Sequence, residues 1–115
     1  MERATVYNIQ ESIEYQDNSI VSKTVIDEET GSITLFAFDK GQNLSEHSAP
    51  HEAMVQVIDG VGEYTIGGET HRLKAGEMLV MPASIPHSVR APEKFKMVLS
   101  MIKNVEDNNE TDEGN

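Results

Sequence analysis

The sequence predicts an all-β chain whose strands close on themselves as a sandwich or barrel. Two observations carry this. Short apolar runs are separated by Gly or Pro clusters every 8 to 12 residues, and no long amphipathic helix is available to cover a sheet. An open sheet of so many strands would leave a face and its edges in water, so closure is the arrangement that satisfies them.

The elements follow in order. Residues 8–15 could carry one helical turn on the Ile9, Ile13 spacing, so the first fifteen or so residues are expected as a short helical or extended arm. Residues 20–26 alternate and are rich in β-branched side chains, and 33–38 read as a strand after a turn at Thr30-Gly31. Residues 54–58 run into Asp59-Gly60, a turn pair. Strands over 63–66 and 69–73 flank Gly67-Gly68, a strong signal for a two-residue hairpin. Residues 78–81 are another strand-length apolar run. Phe95, Met97, Leu99 and Met101 alternate with Lys96, Val98, Ser100 and Ile102, which makes a closing strand with at least one buried face.

A chain of 115 residues holds one domain and one hydrophobic core. Residues 1–105 are expected to form it. Residues 106–115 carry five acids and no base, with no apolar residue after Val105, and are expected as a disordered, solvating tail. The net charge of −11, of which −6 belongs to residues 1–105, disfavours nucleic acid and anionic membranes as partners. No apolar run approaches the roughly 20 residues of a bilayer-spanning helix. Without cysteine there are no disulfides or thiolate ligands, so any metal must be held by His, Asp, Glu or water. The N-terminus lacks the basic start and apolar run of a secretory signal, and a cytoplasmic location is expected.

Two stretches concentrate the chemistry. The first runs from Gly41 through His47, Ala49, Pro50, His51 and Ala53 to Gly60; the second runs from Gly76 through Pro82 to Pro86-His87. Together they resemble the two motifs of the cupin family. The first cupin motif reads glycine, five residues, His, any, His, three or four residues, Glu, six residues, glycine. The second reads glycine, five residues, Pro, any, Gly, two residues, His, three residues, Asn. Gly41 to His47 and Gly76 to Pro82 to His87 keep that spacing, with a 15-residue interval from Gly60 to Gly76. The phrases 31–36, 44–50, 81–83 with Pro86-His87, and 95–97 extend the resemblance, over roughly residues 8–103, to small single-domain bacterial cupins. It implies a double-stranded β-helix (jelly-roll) barrel, usually a homodimer, with a pocket inside; it implies no particular reaction.

Metal-dependent cupins hold one divalent ion with three His and one Glu. Carried over, His47 takes the first His position and His87 the last, while Ala49 stands at the second His position and Ala53 at the Glu position. Two imidazoles leave a divalent ion (Fe, Mn, Ni or Zn) short of the three protein ligands a catalytic site typically has. His51 could restore the third if the loop turned by Pro50 folds it back, or it and Glu52 could be solvated loop residues; a direct acid–base role for His51 is a further alternative. His47 and His87 could equally be a metal-free hydrogen-bonded pair that binds a polar ligand or shuttles a proton. His71 is expected to be exposed. Met54, Met78, Met81, Met97 and Met101 fall on strands, as core or as an adaptable apolar lining. Tyr64 and Arg90 could face the pocket or the solvent.

Three functions remain open at this point. They are a small-molecule-binding cupin lined by His47 and His87, a metal-dependent enzyme of dioxygenase or isomerase type using His47, His51 and His87, and a non-catalytic interaction module.

Overall fold

The computed structural model describes residues 1–103; the tail expected over 106–115 lies outside the described residues. Eight strands follow the arm: β1 (Ile20–Glu28), β2 (Gly31–Phe38), β3 (Asn43–His47), β4 (Glu52–Ile66), β5 (Glu69–Lys74), β6 (Met78–Met81), β7 (His87–Arg90) and β8 (Phe95–Ile102). They pair in the order β1-β2-β8-β4-β7-β3, with β5 and β6 also paired to β4. Every pairing is antiparallel.

Strand β4 holds the two halves together. Its first part lies between β8 and β6, and its last part lies between β5 and β7. The chain therefore does not turn back at Asp59-Gly60 as the sequence led us to expect. It crosses from one half of the barrel to the other as a single 15-residue strand. The register against β8 slips between Val57 and Asp59, and Gly60 takes φ +75°, so the glycine bends the strand instead of reversing it. The Gly67-Gly68 hairpin forms as expected, with Ile66 opposite Glu69 and both glycines at positive φ (+56° and +87°). The first hairpin turns at Glu29-Thr30, with Glu28 paired to Gly31.

Alternation along the strands builds two apolar layers. The inward layer holds Phe38, Val55, Val57, Tyr64, Leu73, Met81, Val89, Ala91, Phe95 and Met97. Phe38 stacks on Phe95 at 4.6 Å between ring centroids, and Tyr64 meets the same ring edge-on at 6.2 Å. The Tyr64 hydroxyl donates to Met97 Sδ at 3.0 Å, and burial pushes its pKa well above the usual phenol range. The barrel centre is thus filled by side chains, and Tyr64 belongs to the core. Met81 and Met97 are core too, whereas Met78 is 54% exposed, so the methionines do not make one continuous lining.

The second layer is on the outside of β2 and β8, where Leu35, Ala37 and Val98 pack with Ile13 of the arm. Both faces of β8 are therefore buried. The arm reaches this face through turns, with Glu11 N–H donating to Asn8 O and Ser12 N–H to Ile9 O, and it contains no helix. Ile9 is exposed while Ile13 is buried, so the pair never formed a single apolar stripe. The Tyr15 hydroxyl donates to Asp59 at 2.5 Å, Gln10 Nε2 donates to Ile58 O at 2.6 Å, and Lys94 and Lys96 lie over the Tyr15 ring. Among the described residues no helix is long and apolar enough to cross a membrane.

Candidate functional site

The two motif histidines meet at one end of the barrel. On β7, Val89 is buried in the core, so His87 two residues earlier points to the same inward face, at the strand's end. It lies opposite Ile66 of β4, which packs against the core. Strand β3 reaches the same place by a different route. Leu44 packs against the core, and simple alternation would turn His47, three residues on, outward. Leu44 pairs with Val89 and His47 with His87, so three steps on β3 match two on β7. That extra residue is a β-bulge, and it brings His47 back to the inward side.

The rings face each other edge to face with centroids 4.3 Å apart and Nε2 to Nε2 at 3.2 Å. His47 Nδ1 lies 3.1 Å from Ser45 O, and His87 Nδ1 lies 3.3 Å from Ile85 O. A carbonyl only accepts, so Nδ1 is the donor atom each ring directs at its own strand, which leaves each Nε2 turned toward the other ring. With both rings as Nδ1–H tautomers two lone pairs oppose one another across 3.2 Å, and with a proton on one Nε2 the same contact is a hydrogen bond. The opposition of lone pairs is relieved by a shared proton, by a hydrogen-bond donor between the rings, or by a cation. Burial holds the His87 pKa below its ordinary range against the opposing pull of Ile85 O, and the proximity of His47 lowers it further. At neutral pH His87 is therefore a neutral acceptor.

The surroundings are shallow. His47 is exposed and His87 half-buried, and the space behind them is core. Ala53 pairs with Met81 and packs against the core, and Ala49 offers only its backbone oxygen, which accepts from Ser84 N–H at 2.7 Å. Among the described residues no three His, Asp or Glu side chains are grouped as metal ligands. His51 is half-buried and is not assembled with His47 and His87 into such a group.

The His71 side chain is 40% exposed, partly as expected, although its strand position faces inward. It shares the inward face of β5 with the buried Leu73, lies opposite Tyr64, and has Nε2 3.7 Å from Glu69 Oε1. Two strand spacings, about 9.5 Å, separate β5 from β7, so His71 does not join the pair. Arg90 turns outward, and both it (2.7 Å) and Arg72 (3.2 Å) pair with Glu63.

Residues 34–103 match the family described as the cupin domain. The chain belongs to the cupin domain family. Among solved structures, this cupin is similar to a conserved protein of unknown function from Streptococcus pyogenes, at 37% identity and TM-score 0.86, covering 91% of this chain and 92% of that one. It is also similar to a cupin 2 conserved barrel domain protein from Leptotrichia buccalis, at 42% identity and TM-score 0.82, covering 84% of this chain and 47% of the other. A curated relative, an uncharacterized protein of Aquifex aeolicus, is 26% identical over 84% of this chain and 82% of its own length. The double-stranded β-helix expected from the motifs is the fold of this cupin.

One departure from the cupin pattern now has a structural consequence. Ser84 stands where the second motif has glycine, and it takes φ +67°, a left-handed conformation that costs an L-residue about 1–2 kcal/mol. Ser84→Gly is therefore expected to raise stability by about 0.5–1 kcal/mol, after the greater chain entropy of glycine when unfolded is offset. A thermal melt reads this as a higher Tm, and a lowered Tm would mean that the hydroxyl stabilises the turn.

Proposed function

We propose that this cupin binds a small molecule at the mouth of its barrel, with His47 and His87 as the polar anchors. The observation that carries the reading is the pair of facing Nε2 atoms 3.2 Å apart, each freed for a ligand by its own Nδ1–carbonyl contact. Apolar side chains behind the rings, Leu44 and Ile66 among them, suit the body of a ligand that brings a hydroxyl or N–H to the rings. A neutral imidazole can also take a proton from such a group, and its neighbour can share it.

The same separation supports a second reading, a metal-dependent enzyme of dioxygenase or isomerase type. Two imidazole nitrogens 3.2 Å apart can both reach one ion at the usual Zn–N distance of about 2.0–2.1 Å, and the donor type suits Fe, Mn, Ni or Zn. His47 and His87 would hold the ion, with His51 as the third nitrogen the sequence offers. Such an ion would supply a Lewis acid for a ligand oxygen. The alanines at positions 49 and 53 favour the first reading, because neither adds a donor.

Elemental analysis of protein purified without chelator or nickel resin, followed by thermal-shift titration with Fe, Mn, Ni or Zn, separates the two. Stoichiometric metal that is lost in His51→Ala and kept in His71→Ala supports the three-His enzyme. Metal kept in His51→Ala makes His51 a bystander. No metal under any condition leaves the metal-free ligand site.

A homodimer and a cytoplasmic location complete the proposal. The short strand β6 presents Met78 and Val80, each more than half exposed, beside a single paired neighbour, and such edges call for a cover. Light scattering at micromolar concentration should give about twice the 12.7 kDa chain mass. A monomer throughout that range removes the dimer.

A further inference from the structure

A cavity of about 410 Å³ lies outside the barrel, between the arm and the outer face of β1, β2 and β8. That volume falls within the roughly 300–1,000 Å³ typical of small-molecule sites. Its floor is Val25, Ile26, Ile33, Leu35 and Val98, and its far wall is the arm, including Arg3, Tyr7 and Ile9. The register explains the floor. Ile26 pairs with Ile33 and Leu35 with Val98, so their side chains form adjacent rows, and a bulge between Thr24 and Ile26 turns Val25 to join them.

The polar groups at this cavity are few, and most are committed. Thr5 Oγ1 donates to Arg3 O, and Ser12 Oγ donates to Asn8 O, so neither hydroxyl proton is available. Tyr7 Oη accepts from Glu2 N–H and keeps its own proton to donate. The Arg3 guanidinium is mostly exposed at the rim and lies 3.6 Å from Glu28, a solvent-exposed pair that contributes little and that a ligand anion can replace. Glu2 lines the cavity, whereas Glu28 is not among its lining residues, and the chain's net charge of −11 makes a rim cation distinctive.

From these features we infer a second ligand site, under the N-terminal arm, for a small apolar molecule carrying one anionic group. The apolar body lies on Ile33, Leu35 and Val98, and the anion meets Arg3, with Tyr7 as a donor. This site is separate from the barrel mouth and does not rest on the reading proposed for it.

The test uses the full chain and 1-anilinonaphthalene-8-sulfonate, an aromatic anion, with decanoate and decanol as competitors. Saturable fluorescence at one probe per folded chain is expected, with decanoate competing better than decanol. Arg3→Glu, at an exposed position, should weaken the probe and decanoate by about three- to tenfold and leave decanol unchanged. Val25→Trp, which fills the cavity, should abolish binding of all three. The inference is overturned by the absence of saturable binding, by equal affinity in Arg3→Glu, or by loss of the probe in His87→Ala, which would place it at the mouth. It is also overturned if the cavity seats a second copy of the chain, seen as a dimer that Val25→Trp dissociates while the probe fails to bind.

Discussion

Gly60→Ala is expected to destabilise the fold severely, by about 4–5 kcal/mol or more. A Cβ built on Gly60 would lie 2.0 Å from the Lys94 carbonyl oxygen and 2.9 Å from Phe95 Cα, and the residue holds φ +75°. Both neighbours are backbone atoms at the start of β8, and Gly60 pairs with Phe95 in the ladder that joins β4 to β8. Relief would require opening that ladder and displacing Phe95, whose ring contacts Phe38 and Tyr64 at the centre of the core. That cost compares with a typical total stability of about 5–15 kcal/mol. Gly76→Ala is the control. Its φ is +95° but nothing lies within 4 Å of an added Cβ, so only the backbone conformation is penalised, at about 1–2 kcal/mol. Denaturant melts of the two variants should therefore differ sharply, and a Gly60→Ala protein as stable as Gly76→Ala would contradict the corner described for β4.

His87→Ala is expected to abolish binding at the mouth while leaving the fold intact. The ring is half-buried at the end of a short strand, and its removal loses only the Nε2–Nε2 contact with His47 and the local contact with Ile85 O. Tm should then stay nearly level. Affinity for a divalent ion or a hydrogen-bond-donating ligand should fall by more than about a hundredfold, the upper end of the effect of losing even an outer-shell partner. Unchanged affinity with an unchanged Tm would remove His87 from the site.

Much of this architecture was legible in the sequence because it is written locally. The two-glycine hairpin depends only on residues 67 and 68, and the alternation of β8 is carried within the strand. The bend of β4 was not legible. Asp59-Gly60 has the chemistry of a turn, and what makes it a corner is the close approach of Lys94 and Phe95, far away in sequence. The site divides in the same way. Motif spacing pointed to His47 and His87, but Leu44 and His47 stand three apart, and alternation alone would have sent them to opposite faces. The bulge that reunites them is a property of pairing with β7. Ser84 stands at a glycine position of the second motif, a signal that could have flagged its left-handed turn and was not used. The inward face of His71 could have been read from its two-residue spacing to Leu73, a signal outweighed by the polar neighbours Glu69, Thr70 and Arg72.

The central claim is that His47 and His87 present two bare Nε2 atoms to a common ligand. Long-range proton–nitrogen NMR of the imidazole rings tests it, with Zn²⁺ alone as the probe. The account predicts a proton on Nδ1 of both rings at neutral pH, protonation of His87 only below its ordinary pKa of 6.5, and a joint shift of both Nε2 resonances as Zn²⁺ is added, with His71 unaffected. A proton found on either Nε2 in the free protein, or Zn²⁺ that leaves both rings unshifted, would contradict it.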